Sequence, residues 1–290
     1  MLSTAELLAW LAAANGRYSA EGIPHKGRPF RAWSDFAREH KCVLAMGDPI
    51  TKKIFNWFYE HSPPGVHQVG PAYTGIYLYD TAFWPVHVPM IFGMVSVNAL
   101  DCLKTMPVQI KRTLEFNHRD VWTYVVHWVN CMDYGYGRMD LNGGSRLRPR
   151  ALKFLGAGHA EIVGANAQLL ESRPNVKAIL GMRMATEIFL KAVLVHERDL
   201  TDNELMKLSH KLEDSANACA EATKEKAFEE VGERASLYPP VSARYDDTEW
   251  SNASVWQAAM LTQLTAATVT RLYTDRDTRA SIMPAEQERS

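Results

Sequence analysis

Side chains able to do chemistry are scattered along this 290-residue chain, and few stand at the spacings that chemistry requires. Glu115 and His118 form an E-x-x-H, which places a carboxylate and an imidazole on one helix face, as in di-iron four-helix bundles. Such a centre needs a second E-x-x-H and two further glutamates, and the chain has a single E-x-x-H. His127 and Cys131 stand one helical turn apart with no outlying ligand pair, which describes core residues better than a zinc site. The four cysteines, Cys42, Cys102, Cys131 and Cys219, form no C-x-x-C and read as reduced thiols. There is no G-x-G-x-x-G, P-loop or G-x-S-x-G, so no phosphate cradle or nucleophile elbow is encoded. No cofactor and no metal is expected. Gly156-Ala157-Gly158 lacks the strand a dinucleotide site requires and reads as close helix packing.

Two features suit binding better than reaction. Arg146, Arg148, Arg150 and Lys153 make a compact basic strip, which is either a phosphate-contacting surface or the charge of an exposed linker. A formal net charge of -1 offers no global attraction to nucleic acid or to an anionic membrane, so any such binding must use a local patch. Six of the eight tryptophans precede residue 129, near Phe55, Phe58, Tyr59 and an aromatic run from Tyr73 to Trp84. That density either stacks a planar ligand or fills a core or interface. His87, between Val86 and Val88, reads as a satisfied buried histidine.

The elements that must position these groups are mostly helical. At this length, with 47% hydrophobic residues, two units are expected. Ser3 with Glu6 makes a capping box, Leu7, Leu8, Trp10 and Leu11 an apolar face, and Asn15-Gly16 a stop. Asp48-Pro49 opens a second helix that ends at Ser62-Pro63. Prolines, glycines and aromatics between 65 and 89 predict a loop or short hairpin. Pro89 and Pro107 predict helices near 90–104 and 107–116, and another runs from Arg119 to Tyr134. The apolar window Met90 to Leu103 falls short of the roughly 20 residues that cross a bilayer, so it reads as a core helix and no membrane contact is expected. Asp140 to Arg150 looks like an exposed linker, separating a domain over 1–142 from four helical segments at 150–171, 175–197, 202–232 and 252–274. Residues 276–290 read as a frayed tail, and the N-terminus lacks secretory features, which makes the cytoplasm the expected location.

The stretch NVKAILGMRMATEIFLKAVLVHERDLTDNELMKLSHKLEDSANAC, beginning at Asn175, resembles the central helical hairpin of the HEPN (higher eukaryotes and prokaryotes nucleotide-binding) family. Glu187 and Lys191 match the family's charged positions on the first helix and His210 its histidine on the second. Tyr238-Pro239 and Arg244-Tyr245 fit its usual ending. Over about 150–275, the resemblance implies an antiparallel four- or five-helix bundle, frequently dimeric, associated with nucleotide or RNA biology, toxin systems or phage defence. A nucleotidyltransferase-like protein is an expected partner. Because one fold hosts many functions, it implies no single activity.

The ribonuclease branch of that family uses an arginine and a histidine separated by four to six residues on one helix. The C-terminal half has no such pair, since Arg183 meets no histidine before His196. Arg112 and His118 match the spacing in the other half. As a site they would provide a general acid or base and a cation for a phosphorane-like transition state; otherwise they are charged residues at a helix end. The chain is therefore expected to be all-α: a HEPN-like bundle preceded by an aromatic-rich helical domain with an irregular insert or short hairpin. Its expected role is a binding or assembly module, with an RNase or a structural subunit of a larger complex as alternatives. Candidate binding residues are Glu187, Lys191 and His210, together with Arg146, Arg148 and Arg150. Glu187 and Lys191 sit within an apolar run, so at least one should bond a partner on a neighbouring helix, His210 being the candidate.

Overall fold

A computed structural model describes residues 3–67, 70–91, 95–144, 146–245 and 248–282. Helix accounts for 68% and strand for 5%, so the chain is a largely all-α protein with one two-stranded sheet among the described residues. It divides into two compact units, Met1–Gly70 and Pro71–Ser290.

The first unit holds α1 (Thr4–Ala20), α2 (Arg28–Glu39) and α3 (Pro49–Glu60). Ser3 and Glu6 close a reciprocal capping box at the start of α1. Leu11, Ala14, Tyr18, Ala32, Phe36, Ile54 and Phe58 pack into one small core. Asn15-Gly16 does not end α1. The Asn15 side chain accepts a hydrogen bond from Arg28 (2.8 Å), and the left-handed turn that follows the helix is made by Gly22 at φ 70°.

In the second unit, β1 (Tyr73–Tyr79) and β2 (Ala82–Val88) form an antiparallel hairpin, with Tyr73 opposite Val88 and Tyr79 opposite Ala82. Asp80 and Thr81 both take positive φ in its two-residue turn, as the right-handed strand twist favours. The helices that follow are α4 (Val108–Phe116), α5 (His118–Gly144), α6 (Pro149–Leu169), α7 (Ala178–Arg198), α8 (Asp202–Lys207), α9 (Leu212–Thr223), α10 (Ala227–Glu233), α11 (Asn252–Tyr273) and α12 (Thr278–Ile282).

Helix α11 is buried on every side over Ala258 to Thr270 except at Met260, against α5, α7, α10 and β1. Its buried Thr262, Thr265 and Thr270 hydroxyls donate to carbonyls one turn back, which removes the penalty of unbonded polar groups. Gln263 joins three elements: it accepts from the Tyr73 hydroxyl (2.7 Å) and donates to the Asn130 carbonyl (3.2 Å). Gly158 lets α6 meet α7, because a Cβ there would fall 2.8 Å from the Phe189 ring. Gly137 does the same between α5 and the end of α11, at 2.8 Å from the Thr270 Cβ.

Several expectations are corrected. Residues 90–104 are not a helix: of those described, only Ala99–Cys102 make a 3-10 turn, capped by the Asn98 side chain on the Leu100 N–H, while residues 92–94 lie outside the described residues. The apolar character there serves burial of Cys102 and Leu103 instead. The segment 202–232 is three helices, broken where His210 and Lys224 take left-handed backbone (φ 68° and 62°). Asp140 to Gly144 belong to the last turns of α5, Leu147 is buried, and the break between units comes at Gly70, not at 142–150. Of the expected tail, Arg276, Thr278 and Arg279 are tied down by hydrogen bonds to Asp140 and Asp133, and 283–290 lie outside the described residues. Helix α2 lies between the two helices expected in this region and has no side-chain cap, only Pro29 in its first turn.

Candidate functional site

Arg112 and His118 do not share a helix. Arg112 is on α4, which ends at Phe116, and Asn117 in extended backbone separates it from His118, the first residue of α5. Both side chains are exposed, and no hydrogen bond or ion pair among the described residues joins them.

Glu187, Lys191 and His210 come together. On α7 the Glu187 carboxylate accepts from Lys191 Nζ (2.7 Å) and faces His210 Nδ1 (3.3 Å) in the turn between α8 and α9. The Ser209 hydroxyl donates to the same carboxylate (3.3 Å), and Arg183, one turn earlier on α7, donates to the His210 carbonyl (2.7 Å). Burial pushes the Glu187 carboxyl up, but Lys191 and His210 outweigh it and hold the group below its ordinary value. Tyr238, another residue of the resemblance, places its hydroxyl between Thr186 and Thr262 (2.7 and 2.9 Å), linking α7 to α11. These polar residues lock elements together.

The basic strip is largely neutralised. Arg148 pairs with Asp199 (2.5 Å), and Arg150 pairs with Asp202 and bonds the Leu200 carbonyl. Both clamp the link between α7 and α8. Arg146 is exposed and lines a polar cavity of about 570 Å³ with Asp140, His196 and Arg276.

The arrangement best suited to a ligand was not among the sequence candidates. Between α5, α10, α11 and the segment after it lies a cleft of two adjoining lobes, about 440 and 270 Å³, that share Glu230 and Arg279. Lys226, Thr268, Arg271 and Asp277 line the larger lobe; Trp122, His127, Arg234, Met260 and Leu264 line the smaller. Most charges are already paired: Glu230 with Arg234 (2.6 Å), and Arg271 with the buried Asp133 (2.7 Å) and Asn130 (2.7 Å). Among the described residues, the side chains of Lys226 and Arg279 have no such partner, and the buried Thr268 hydroxyl has none either. Trp122 is 50% exposed at the other end, so an apolar ring and unpaired cations face one cleft. Only the aromatic density hinted at this from sequence; Arg279 and Trp122 are far apart in the chain.

His127 forms the floor of the smaller lobe, its ring against Trp256 (4.7 Å) and a ring N–H on the Ile76 carbonyl. Burial lowers its pKa to about 4 and pushes the Cys131 thiol, 3.6 Å away, upward. Both are neutral at neutral pH, so they do not make a thiolate–imidazolium pair. Among the described residues there is no group of three or more His, Cys, Asp or Glu able to hold a metal ion, and no helix is long and apolar enough to cross a membrane. Comparison with family models, curated proteins and solved structures finds no match to this chain.

Proposed function

We propose that this protein is a HEPN-like binding module whose ligand is a nucleotide or single-stranded RNA, held in the cleft between α5, α10 and α11. The observation that carries the reading is the juxtaposition of the half-exposed Trp122 ring with the unpaired cations Arg279 and Lys226. A base stacks on any exposed aromatic face whatever its identity, and phosphate oxygens take charge-assisted hydrogen bonds from guanidinium and ammonium groups. The Glu187 cluster and the Arg148 and Arg150 clamp have the role of joints in this reading, since their charges are met within the chain. The separated Arg112 and His118 give no support to catalysis. Dimer formation and a nucleotidyltransferase-like partner follow from the family resemblance alone and belong to the same proposal.

The test is direct binding of a short mixed-sequence RNA and of a mononucleotide to the full chain. Trp122→Ala and Arg279→Ala are each expected to weaken binding by about tenfold, the size of one lost base stack or charged contact. Unchanged affinity in both variants rejects the cleft. Cleavage of the RNA, abolished by Arg112→Ala or His118→Ala, replaces the binding reading with a nuclease.

A further inference from the structure

We infer that residues 275–282 form a strap, latched on the buried carboxylate of Asp133, which closes the two-lobed cleft and supplies Arg279 to it. The inference builds on the reading of that cleft as a ligand site.

The strap's attachment is unlike that of the rest of the second unit. Helix α12 has no buried residue, so apolar burial does not hold it. Its hold is polar: the Thr278 N–H donates to Asp133 Oδ1 (2.9 Å) and the Arg279 N–H to Oδ2 (3.4 Å). Just before it, Arg276 makes two hydrogen bonds to Asp140 (2.6 and 3.3 Å), with its guanidinium 5.5 Å from the Tyr136 ring centroid. The bundle's half of the latch stands without the strap, because Arg271 Nε already fixes Asp133 Oδ2 (2.8 Å). Oδ1 is thereby presented to whichever backbone N–H arrives. Segments held by few, largely solvent-facing polar bonds open locally at far lower free energy than apolar cores.

Position gives the opening a consequence. Arg279 lines both lobes and Asp277 and Ala280 line the larger, so the strap is a wall of the cleft. When the strap lifts, the unpaired guanidinium leaves and His127 loses its cover in the smaller lobe. When a phosphate-bearing ligand enters, a bond to Arg279 is available only in the latched state, so the ligand draws the strap down. Binding and closure are then one equilibrium.

Two substitutions in the full chain loosen the latch without touching Asp133 or Arg271. Thr278→Pro removes the donor N–H at the first helical position, where proline is tolerated. Arg276→Ala removes the pair with Asp140. Amide hydrogen exchange of Ala280, Ser281 and Ile282 is expected to quicken at least about tenfold in Thr278→Pro and severalfold in Arg276→Ala, with α5 and α11 amides unchanged. Modification of His127 by diethyl pyrocarbonate, which needs a neutral and reachable imidazole, is expected to quicken in parallel. Equal strap exchange in wild type and both variants overturns the latch; faster strap exchange with unaltered His127 modification overturns the closure. Both readouts are ligand-free, so a protein that shows both changes and binds no RNA keeps the strap and loses the nucleotide reading.

Discussion

Two acid-centred joints in the second unit have similar partners and differ in depth. Asp133 has 1% of its side chain exposed and is met by Arg271, 11% exposed, at two nitrogens, with two strap amides completing its shell. Glu187 is 11% exposed and is met by Lys191 on its own helix and by His210, whose side chain is 59% exposed. The first joint ties α5 to the end of α11 and the strap, the second a helix to a nearby turn. A carboxylate removed from water depends wholly on its partners, whereas one near the surface keeps part of its hydration when a partner is lost. Depth should therefore rank the two.

The largest effect tests that ranking. Asp133→Ala leaves the Arg271 guanidinium only Asn130 and the more distant, half-exposed Asp277, and is expected to lower stability by about 3–5 kcal/mol in chemical denaturation, the range for one broken member of a buried pair. A loss no greater than that of Lys191→Ala would erase the distinction.

Acid sharpens it next. His127 is neutral in the folded protein with a pKa depressed to about 4, so the unfolded chain binds the extra proton first as pH falls from 6.5. Its contribution is complete above 6.5 and is lost as pH falls towards 4, amounting to about 3 kcal/mol for a shift of that size. His159, beside the Tyr134 hydroxyl, is depressed the same way by burial and adds to the same window. Glu187, held below its ordinary value, keeps its contribution above the unfolded carboxylate pKa and loses it only at lower pH. Unfolding midpoints between pH 7 and 4 should thus fall before the Glu187 joint titrates, and His127→Gln should flatten that fall.

Lys191→Ala is expected to lower stability by about 2 kcal/mol, the worth of a hydrogen bond to a charged group, while the folded fraction keeps its affinity for RNA. Lost affinity at unchanged stability would turn this joint into a binding site. Smallest of all, Arg148→Ala removes an exposed pair with Asp199 and should change stability by less than about 1 kcal/mol. A larger loss would show that the clamp on the α7–α8 link carries weight its exposure does not suggest.

Sequence signals match the structure where the interaction itself is local. The Ser3–Glu6 box, the proline that opens α3, the hairpin between 73 and 88 and the Glu187–Lys191 pair all lie within a few residues or one turn. Sequence also pointed to His210 as the partner of Glu187, since a charge set among Ile188, Phe189 and Leu190 must be met close by, but it placed that histidine on a neighbouring helix, whereas His210 lies in the left-handed turn between α8 and α9. Apolar content misled between Met90 and Leu103, because burial of Cys102 and Leu103 requires a packed partner but not a helix. The run from 202 to 232 concealed two breaks, at His210 and Lys224, for neither residue type announces left-handed backbone.

By itself, then, the sequence determined that the chain is mostly helical, where several of its helices begin, and that Glu187 would need a nearby partner. Only the tertiary structure decided that Arg112 and His118 fall on separate helices, that the arginine strip is answered by Asp199 and Asp202, and that Trp122 and Arg279 face one cleft. The physical reason is range: caps, turns and one-turn pairs are set by neighbours along the chain, whereas a cleft is set by which helices pack. That packing is summed over apolar contacts whose non-directional attraction leaves no spacing to read.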